Sequence, residues 1–500
     1  MWYIIICTFI IFVIKILYSW QRPSKFPPGP YGLPIVGNIF DIKHLVSETK
    51  FYSHTWCRLA DTYGPVVGLR LGIAEPIIIV SGKDAVMEMM NRPEFDGRPD
   101  GFMFRHRTGG ERRGVIFSDG TIWRDQRRFV LKTLKSFGFG KIAMEDIILD
   151  DAASLTNIIE SQAKSGPITN LSNIVSIAVI NSLWTIVAGQ KFDLDEEING
   201  NPKLLKILTA VNNLVRHSNV SGGILNHLPF LRYVMPASTG YTLINQRLTQ
   251  IWQFITNEIS RHKETRMRHE IRDFIDVYLA EMDKQSSQPI SNFNEKQLVS
   301  VLQDLFTAGV ETTNNMIGFV ITYLAVKQDV QKKLHEELDR VLGKQALPRI
   351  ADKTRLPYLN ATLAEVSRVA NVGPTTIPHR AMVDTVLLGY EIKKNYTMLA
   401  NLRSVHMDKE HWGDPQEFRP ERFINDKGEF VEDTWLMPFG LGRRRCLGET
   451  LAKNNVFLFV ACLLQKFHFA LSPEHPDPVL DGVDGFTIAP PNISIIIKKK

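Results

Sequence analysis

The chain has 500 residues, 44% of them hydrophobic, enough for one large core or several smaller ones. Charged residues are plentiful and well mixed, which excludes a disordered chain. The net charge of +6 suits an anionic membrane surface or an acidic partner, but no zinc-finger spacing or basic helix supports nucleic-acid binding.

Residues 2–20, WYIIICTFIIFVIKILYSW, are almost wholly apolar and about long enough to cross a bilayer. Lys15 could snorkel to the headgroups, and Trp2, Tyr18 and Trp20 suit the two interfaces. No small-residue cleavage site follows. Arg22 and Lys25 follow the span and no Lys or Arg precedes it, so the positive-inside bias places the rest of the chain in the cytosol. A transmembrane helix is therefore predicted at 1–20, the alternative being a buried core helix. KFPPGPYGLPIVGN, residues 25–38, reads as a stiff, extended linker, giving a linker region of 21–38 and a single body over 39–500. That body is predicted to be mainly α with small β-sheets. Short strands are expected in EPIIIVSG (75–82) and in the terminal NISIIIKK.

ILNHLPFLRYVMP, residues 224–236, is an apolar loop that suits either a second membrane contact or ordinary packing. From Glu295 to about Val326, apolar residues recur at helical spacing, which predicts a long helix through the protein centre. Its middle breaks the pattern with Thr307-Ala-Gly-Val-Glu-Thr-Thr313. Gly309 costs about 1 kcal/mol there relative to alanine, and threonine hydroxyls divert carbonyls from the helix ladder. The segment is either a functional polar defect or a kink satisfied by water.

Near the C-terminus, PFGLGRRRCLGE (438–449) puts Cys446 after three arginines and among glycines. Cys7, Cys57, Cys446 and Cys462 are too widely spaced for a disulfide framework, fit a reducing compartment, and give no zinc site around Cys446. Neighbouring cations favour thiolate, which suits a nucleophile or a metal ligand, and the glycines would let a flat ligand come close. An inert buried cysteine is the remaining reading.

Phe439, Gly442, Arg444, Cys446 and Gly448 match the Phe-x-x-Gly-x-Arg-x-Cys-x-Gly signature, so the chain resembles the cytochrome P-450 family of haem-thiolate monooxygenases. Ala308-Gly-Val-Glu-Thr-Thr313 resembles the family's oxygen-activation motif, Glu365-Val-Ser-Arg368 its Glu-x-x-Arg pair, and Pro420-Glu-Arg-Phe423 the motif that contributes Arg422. Trp123 and Arg127 match a Trp-x-x-x-Arg pair, four apart and so on one helix face. The apolar span followed by Pro27-Pro-Gly-Pro30 is the microsomal layout.

The resemblance implies the family fold, with its long central helix across haem b and an N-terminal transmembrane helix. Cys446 would be the axial iron ligand, its thiolate favouring O–O cleavage and tuned by backbone N–H groups. Phe439 would shield it, while Gly442 and Gly448 shape the turn. Arg444, Trp123, Arg127, Arg98 and His379 would contact haem propionates; for Arg98 and His379 a structural role is the alternative. Thr312 would hydrogen-bond iron-bound oxygen, and Glu311 would help relay protons. Glu365, Arg368 and Arg422 would form a buried ion network of structural value.

The implied partners are an NADPH-dependent flavin reductase, steered by Arg443 and Arg445 unless these are simply a solvated surface, and cytochrome b5, at the endoplasmic reticulum membrane. By family analogy, Phe102, Met103, Phe104, Phe117, Ala308, Val372, Ile377 and Phe486 line an apolar pocket for a lipophilic substrate; Arg105, His106 and Arg107 would meet an anionic tail, the alternative being exposure on the surface. FDGRPDGFMFR and SVHMDKEHWGDPQEFRPERF resemble insect enzymes of the drug-metabolising clan, including the branch that epoxidises methyl farnesoate or farnesoic acid. Foreign compounds or other hormones are the alternative substrates. EIKKNYTML lacks the family's usual proline at this point. A peroxide-rearranging enzyme and a non-catalytic haem sensor compete with the monooxygenase reading, and only the monooxygenase requires NADPH. The sequons at Asn170, Asn219, Asn360 and Asn492 are expected to stay unmodified on a cytosolic body.

Overall fold

The computed structural model describes residues 22–500 except 73, 139–141, 170, 218–222, 268–269, 289–290 and 344. The predicted transmembrane helix lies outside the described residues. The helices that position the site are α1 (Lys83–Asn91), α2 (Phe102–His106), α3 (Gly120–Ser136), α4 (Leu171–Ala188), α5 (Leu204–His217), α6 (Tyr241–Thr265), α7 (Glu295–Val326), α8 (Pro357–Ala370) and α9 (Glu449–Lys466). The strands are β1 (Val66–Leu69), β2 (Ile77–Val80), β3 (His379–Arg380), β4 (Thr385–Leu387), β5 (Tyr390–Ile392), β6 (Thr397–Ala400), β7 (Phe467–Leu471) and β8 (Ile495–Lys499). The expectation of a mainly helical body with small sheets holds.

The central helix is one unbroken run of 32 residues. Asn294 caps it by accepting from the Gln297 N–H at 2.9 Å. Its apolar stripe is wide enough to face α4 on one side and α8 and α9 on others, and all share the largest core. Gly309 answers to this packing, since a Cβ there would come within 2.6 Å of the Leu183 side chain on α4. Among the described residues, α4 alone is long and apolar enough to cross a membrane, and it is a core helix, 83% buried.

The main sheet runs β1-β2-β6-β3, with β2 parallel to β6 in the register Ile77↔Thr397 and the other pairs antiparallel. The hairpin β4-β5 and the pair β7-β8 stand apart from it. Residues 25–38 depart from the extended linker that their prolines suggest. They fold onto the main sheet: the Pro28 carbonyl accepts from the Gly68 N–H at 2.8 Å and Phe26 enters the core under the sheet. A tight turn pairs Leu33 with Gly37 and holds Ile35 at φ 69°. Arg22 donates to the carbonyls of Gly29 and Pro30. Proline stiffness sets the local path, but burial of Phe26 and pairing with β1 decide where the segment lies.

Candidate active site

The loop before α9 is shaped by two left-handed glycines. Gly440 and Gly442 have φ of 69° and 66°, and a Cβ on Gly442 would sit 2.1 Å from the Met90 carbonyl oxygen at the end of α1. The loop therefore presses its backbone on α1, which only glycine permits. A short turn at Gly442–Arg444 follows, and the Cys446 N–H donates to the Phe439 carbonyl at 2.9 Å. Cys446 is crowded by protein yet keeps accessible surface, which marks its sulfur as facing a cleft. Burial pushes the thiol up, against the pull of the Gly448 N–H and the Arg127 and Arg445 cations. A metal bound to the sulfur would take the place of the thiol proton.

Above this loop, Trp123 on α3 collects cations. The Arg444 guanidinium lies 3.8 Å from its ring centre, and those of Arg127 and Arg443 lie 5.9 Å away. Arg444 donates through Nε to the Asp96 carbonyl at 2.8 Å and through Nη2 to the Ser118 carbonyl at 3.0 Å, and its Nη1 is buried without a partner. Burial pushes its pKa down to about 9. Arg127 donates to the Arg445 carbonyl at 2.7 Å. Arg98 is buried, with Nε on the Ile116 carbonyl and Nη1 on those of Ile377 and Pro378. His379 is buried with Nδ1 on the Phe95 carbonyl at 2.7 Å, and burial then Arg98 hold its pKa well below the ordinary value. A neutral ring donating from Nδ1 presents Nε2 as an acceptor. To meet a carboxylate it must take up a proton, which the anion itself would favour.

Arg443 and Arg445 are exposed and already engaged, Arg443 with Asp96 at 3.0 Å and Arg445 with Glu449 at 2.6 Å. On α7, Ala308 and Thr312 keep accessible surface in the middle of a helix otherwise sunk in the core. The Thr312 hydroxyl donates to the Ala308 carbonyl at 2.8 Å. Glu311 is not joined to it. Its Oε1 accepts from Arg216 on α5 and from the Thr487 hydroxyl at 2.8 Å, while Oε2 is buried and unpartnered. Burial raises the Glu311 pKa, partly opposed by Arg216. An ion pair with Arg216 thus holds the Glu311 carboxylate beside Thr487. Arg216 and Thr487 went unforeseen, since neither belongs to a spaced motif.

Phe104 and Phe117 stack at 5.0 Å, and Val372 and Phe486 lean on the main core. Ile377 lies nearby through its carbonyl, which Arg98 takes, and Met103 is half-buried. Phe102 packs on the neighbouring side chains of its own loop and of α6. Two residues from Phe104 on a short helix, it is half-buried, stacked on His106 at 5.2 Å, near Tyr241 and beneath Arg232. Of the three basic residues of this loop, Arg105 pairs with Asp100, His106 with Asn245, and Arg107 with Asp304 on α7. A cavity of about 230 Å³ lies between α2 and the main sheet, lined by Phe104, His227, Arg380 and Thr397, and is separate from the Cys446 cleft.

Glu365 and Arg368 form the expected buried pair, with both bonds at 2.8 Å, and Arg422 joins Glu365 at 3.0 Å. Arg368 also donates to the carbonyls of His406 and Pro415. The network ties α8 to the segment leading to the cysteine loop.

Residues 27–497 match the family Cytochrome P450. The chain is a cytochrome P450. It is 35% identical over 500 residues to a Bombyx mori protein named Farnesoate epoxidase, covering 99% of this chain and 98% of the relative. It is 36% identical over 499 residues to Probable cytochrome P450 305a1 of Drosophila melanogaster, covering 97% of each, and 33% identical over 477 residues to human Cytochrome P450 2J2, covering 94% and 90%. This P450 is accordingly a monooxygenase with a haem held by a cysteine thiolate, working with a redox partner on lipophilic substrates. The residues present fit that group: a cleft-facing sulfur beside a backbone donor, and in Arg444 an orphaned buried Nη1 suited to a carboxylate.

Proposed function

We propose that this P450 is a membrane-anchored monooxygenase in which Cys446 holds the haem iron and a lipophilic terpenoid, with methyl farnesoate or farnesoic acid as first choices, is hydroxylated or epoxidised at the Ala308–Thr312 face. The observation that carries it is the cleft-facing Cys446 sulfur at the start of α9, below the Trp123 cation cluster. Arg444, Arg127, Arg98 and His379, with Trp123, would hold the two propionates. The haem supplies activation of molecular oxygen. The protein positions the substrate on the Phe104–Phe117 wall, excludes water, and offers the Thr312 hydroxyl as the proton-holding group. The substrate choice is supported by the likeness to the Bombyx mori relative and by the apolar lining. NADPH-derived electrons would arrive from a flavin reductase, and from cytochrome b5, on the face carrying Arg443, Arg445 and Lys453.

Placement at the endoplasmic reticulum membrane rests on the apolar span at 2–20 and on two exposed apolar segments. Tyr31, Leu33, Ile35 and Phe40 form one, and Phe230, Tyr233, Val234 and Met235 the other. Gly72 links their bases, donating to the Val36 carbonyl at 3.1 Å and abutting His227 so closely that a Cβ would lie 2.8 Å from its oxygen. The test is turnover with reductase, NADPH and oxygen, after a binding screen read by the haem absorbance shift. Failure of both farnesoate forms to bind or react sinks the substrate reading. Turnover without NADPH sinks the monooxygenase reading.

A further inference from the structure

The geometry points to a second ligand site, apart from the Cys446 cleft, in which His227 reads the hydroxyl group of a small lipophilic alcohol. The site is the cavity of about 230 Å³ between α2 and the main sheet, bounded on one side by the short turn Ile224–His227. Two glycines let that turn come down onto the body. A Cβ on Gly72 would lie 2.8 Å from the His227 carbonyl oxygen, and one on Gly101 would run into the Asn226 side chain. His227 is thereby fixed at the cavity wall. Its side chain is almost wholly buried, and neither ring nitrogen makes a well-formed hydrogen bond. Burial, opposed by the Leu71 carbonyl, pushes its pKa down to about 4, so the ring is neutral and carries one N–H and one lone pair. Both are held at a cost that a matching ligand group removes.

A hydroxyl donates and accepts at once, which is what a neutral imidazole lacks here. Charged ligands suit the cavity less. Asp100 on its wall is already held by Arg105, and Arg380 by Asp119 and Asn395 Oδ1. Glu75 is exposed, where a charge contributes little. An entering carboxylate would face Asp100 and Glu75, and an entering ammonium would face the Arg380 guanidinium. The remaining wall is largely apolar, from Phe104, Ile77 and Pro99, and Thr397 of β6 adds one hydroxyl. A cavity of about 150 Å³ takes benzene, with six non-hydrogen atoms, so this one takes about nine. That admits an eight-carbon alcohol and excludes a C15 chain. Phe104 is the partition between the two sites: it lines this cavity and stacks on Phe117 of the substrate wall at 5.0 Å. An occupant therefore buttresses the substrate wall from behind.

The test uses the full chain, haem-loaded, with the cleft filled by an iron-coordinating azole so that only the second site is read. Calorimetry compares 1-octanol with heptyl methyl ether, octylamine and octanoate, which match it closely in size and differ in the polar group. The expected result is one saturable site for 1-octanol, with the three analogues weaker by at least about tenfold. His227→Leu should weaken the alcohol by a similar factor, and His227→Gln, which keeps a donor and an acceptor, should stay within about threefold of the wild type. No binding of any of the four ligands overturns the assignment and leaves the cavity to water alone. Equal affinity across the four overturns it as well. So does a C15 alcohol that competes for the site, which would make the cavity part of the substrate pocket. Should His227→Leu fail to fold, as seen by thermal unfolding, the ligand series on the wild type decides.

Discussion

Gly442→Ala and Gly448→Ala are predicted to differ sharply although both glycines belong to the same ten-residue signature. At Gly442 the backbone is left-handed at φ 66°, which costs an alanine about 1–2 kcal/mol. The new Cβ would also sit 2.1 Å from the Met90 oxygen. A carbon–oxygen contact needs about 3.3 Å, so the loop or the end of α1 must retreat by more than about 1 Å. Overpacking of this kind costs about 1–3 kcal/mol, giving about 2–5 kcal/mol in all. That retreat pulls on Phe439 and Cys446, which share a backbone hydrogen bond of 2.9 Å. At Gly448 φ is −91° and the nearest neighbour of a Cβ is the Cys446 sulfur at 4.0 Å, so alanine costs about 1 kcal/mol or less and keeps the N–H beside the sulfur. The assay is the long-wavelength Soret band of the reduced, carbon-monoxide-treated protein per mole of chain, with thermal unfolding alongside. Gly442→Ala should lose most of the band and Gly448→Ala should retain it. Equal behaviour of the two variants would refute the packing argument.

Glu365→Gln should leave Arg368 a buried, uncompensated cation, while Arg422 keeps Asp414, costing about 3–5 kcal/mol, seen as loss of soluble, haem-loaded protein. His262, for which burial alone would lower the pKa, is pushed up to about 9 by Asp273 and Glu258. Its folded pKa is raised, so its contribution, on the order of 3 kcal/mol, is complete below about pH 6.5 and disappears as pH rises through about 9. Urea unfolding at pH 6 and pH 9.5 should show that loss, and His262→Gln should remove it. Thr312→Ala deletes a hydroxyl bonded only to its own helix, so substrate affinity should hold while product formed per NADPH consumed falls at least about tenfold. Unchanged coupling would remove Thr312 from the proton-handling role.

The parts of this molecule legible from sequence were those where one residue type answers one local demand. Apolar spacing from Glu295 onward gave the central helix, and the run IIIV gave β2. The pairing of Glu365 with Arg368 followed from three-residue helical spacing. What escaped was set by contacts between distant segments. Arg216 meets Glu311 across 95 positions, and Arg107 meets Asp304 across 197. No spacing rule joins such pairs, so the pairing of Glu311 with Arg216 and of Arg107 with Asp304 had no sequence signal. The stacking of Phe102 on His106 and of Phe104 on Phe117 was hidden for another reason: the run 102–104 fixes hydrophobicity but not which partner each side of a five-residue helix meets. The folding of residues 25–38 onto the sheet likewise depends on Gly68, forty positions beyond the Pro28 it bonds.

That last attachment decides how the chain can be shortened. A truncation ending before Phe26 keeps its ring in place against Gly68, where a Cβ would approach within 2.4 Å of it. A truncation at residue 38, the point where composition alone would draw the boundary, strips a buried ring from the core under the sheet and leaves the Gly68 N–H on β1 without its Pro28 acceptor. The proline-rich segment is thus a structural strap of the body, and a soluble form of the protein should be cut on its N-terminal side.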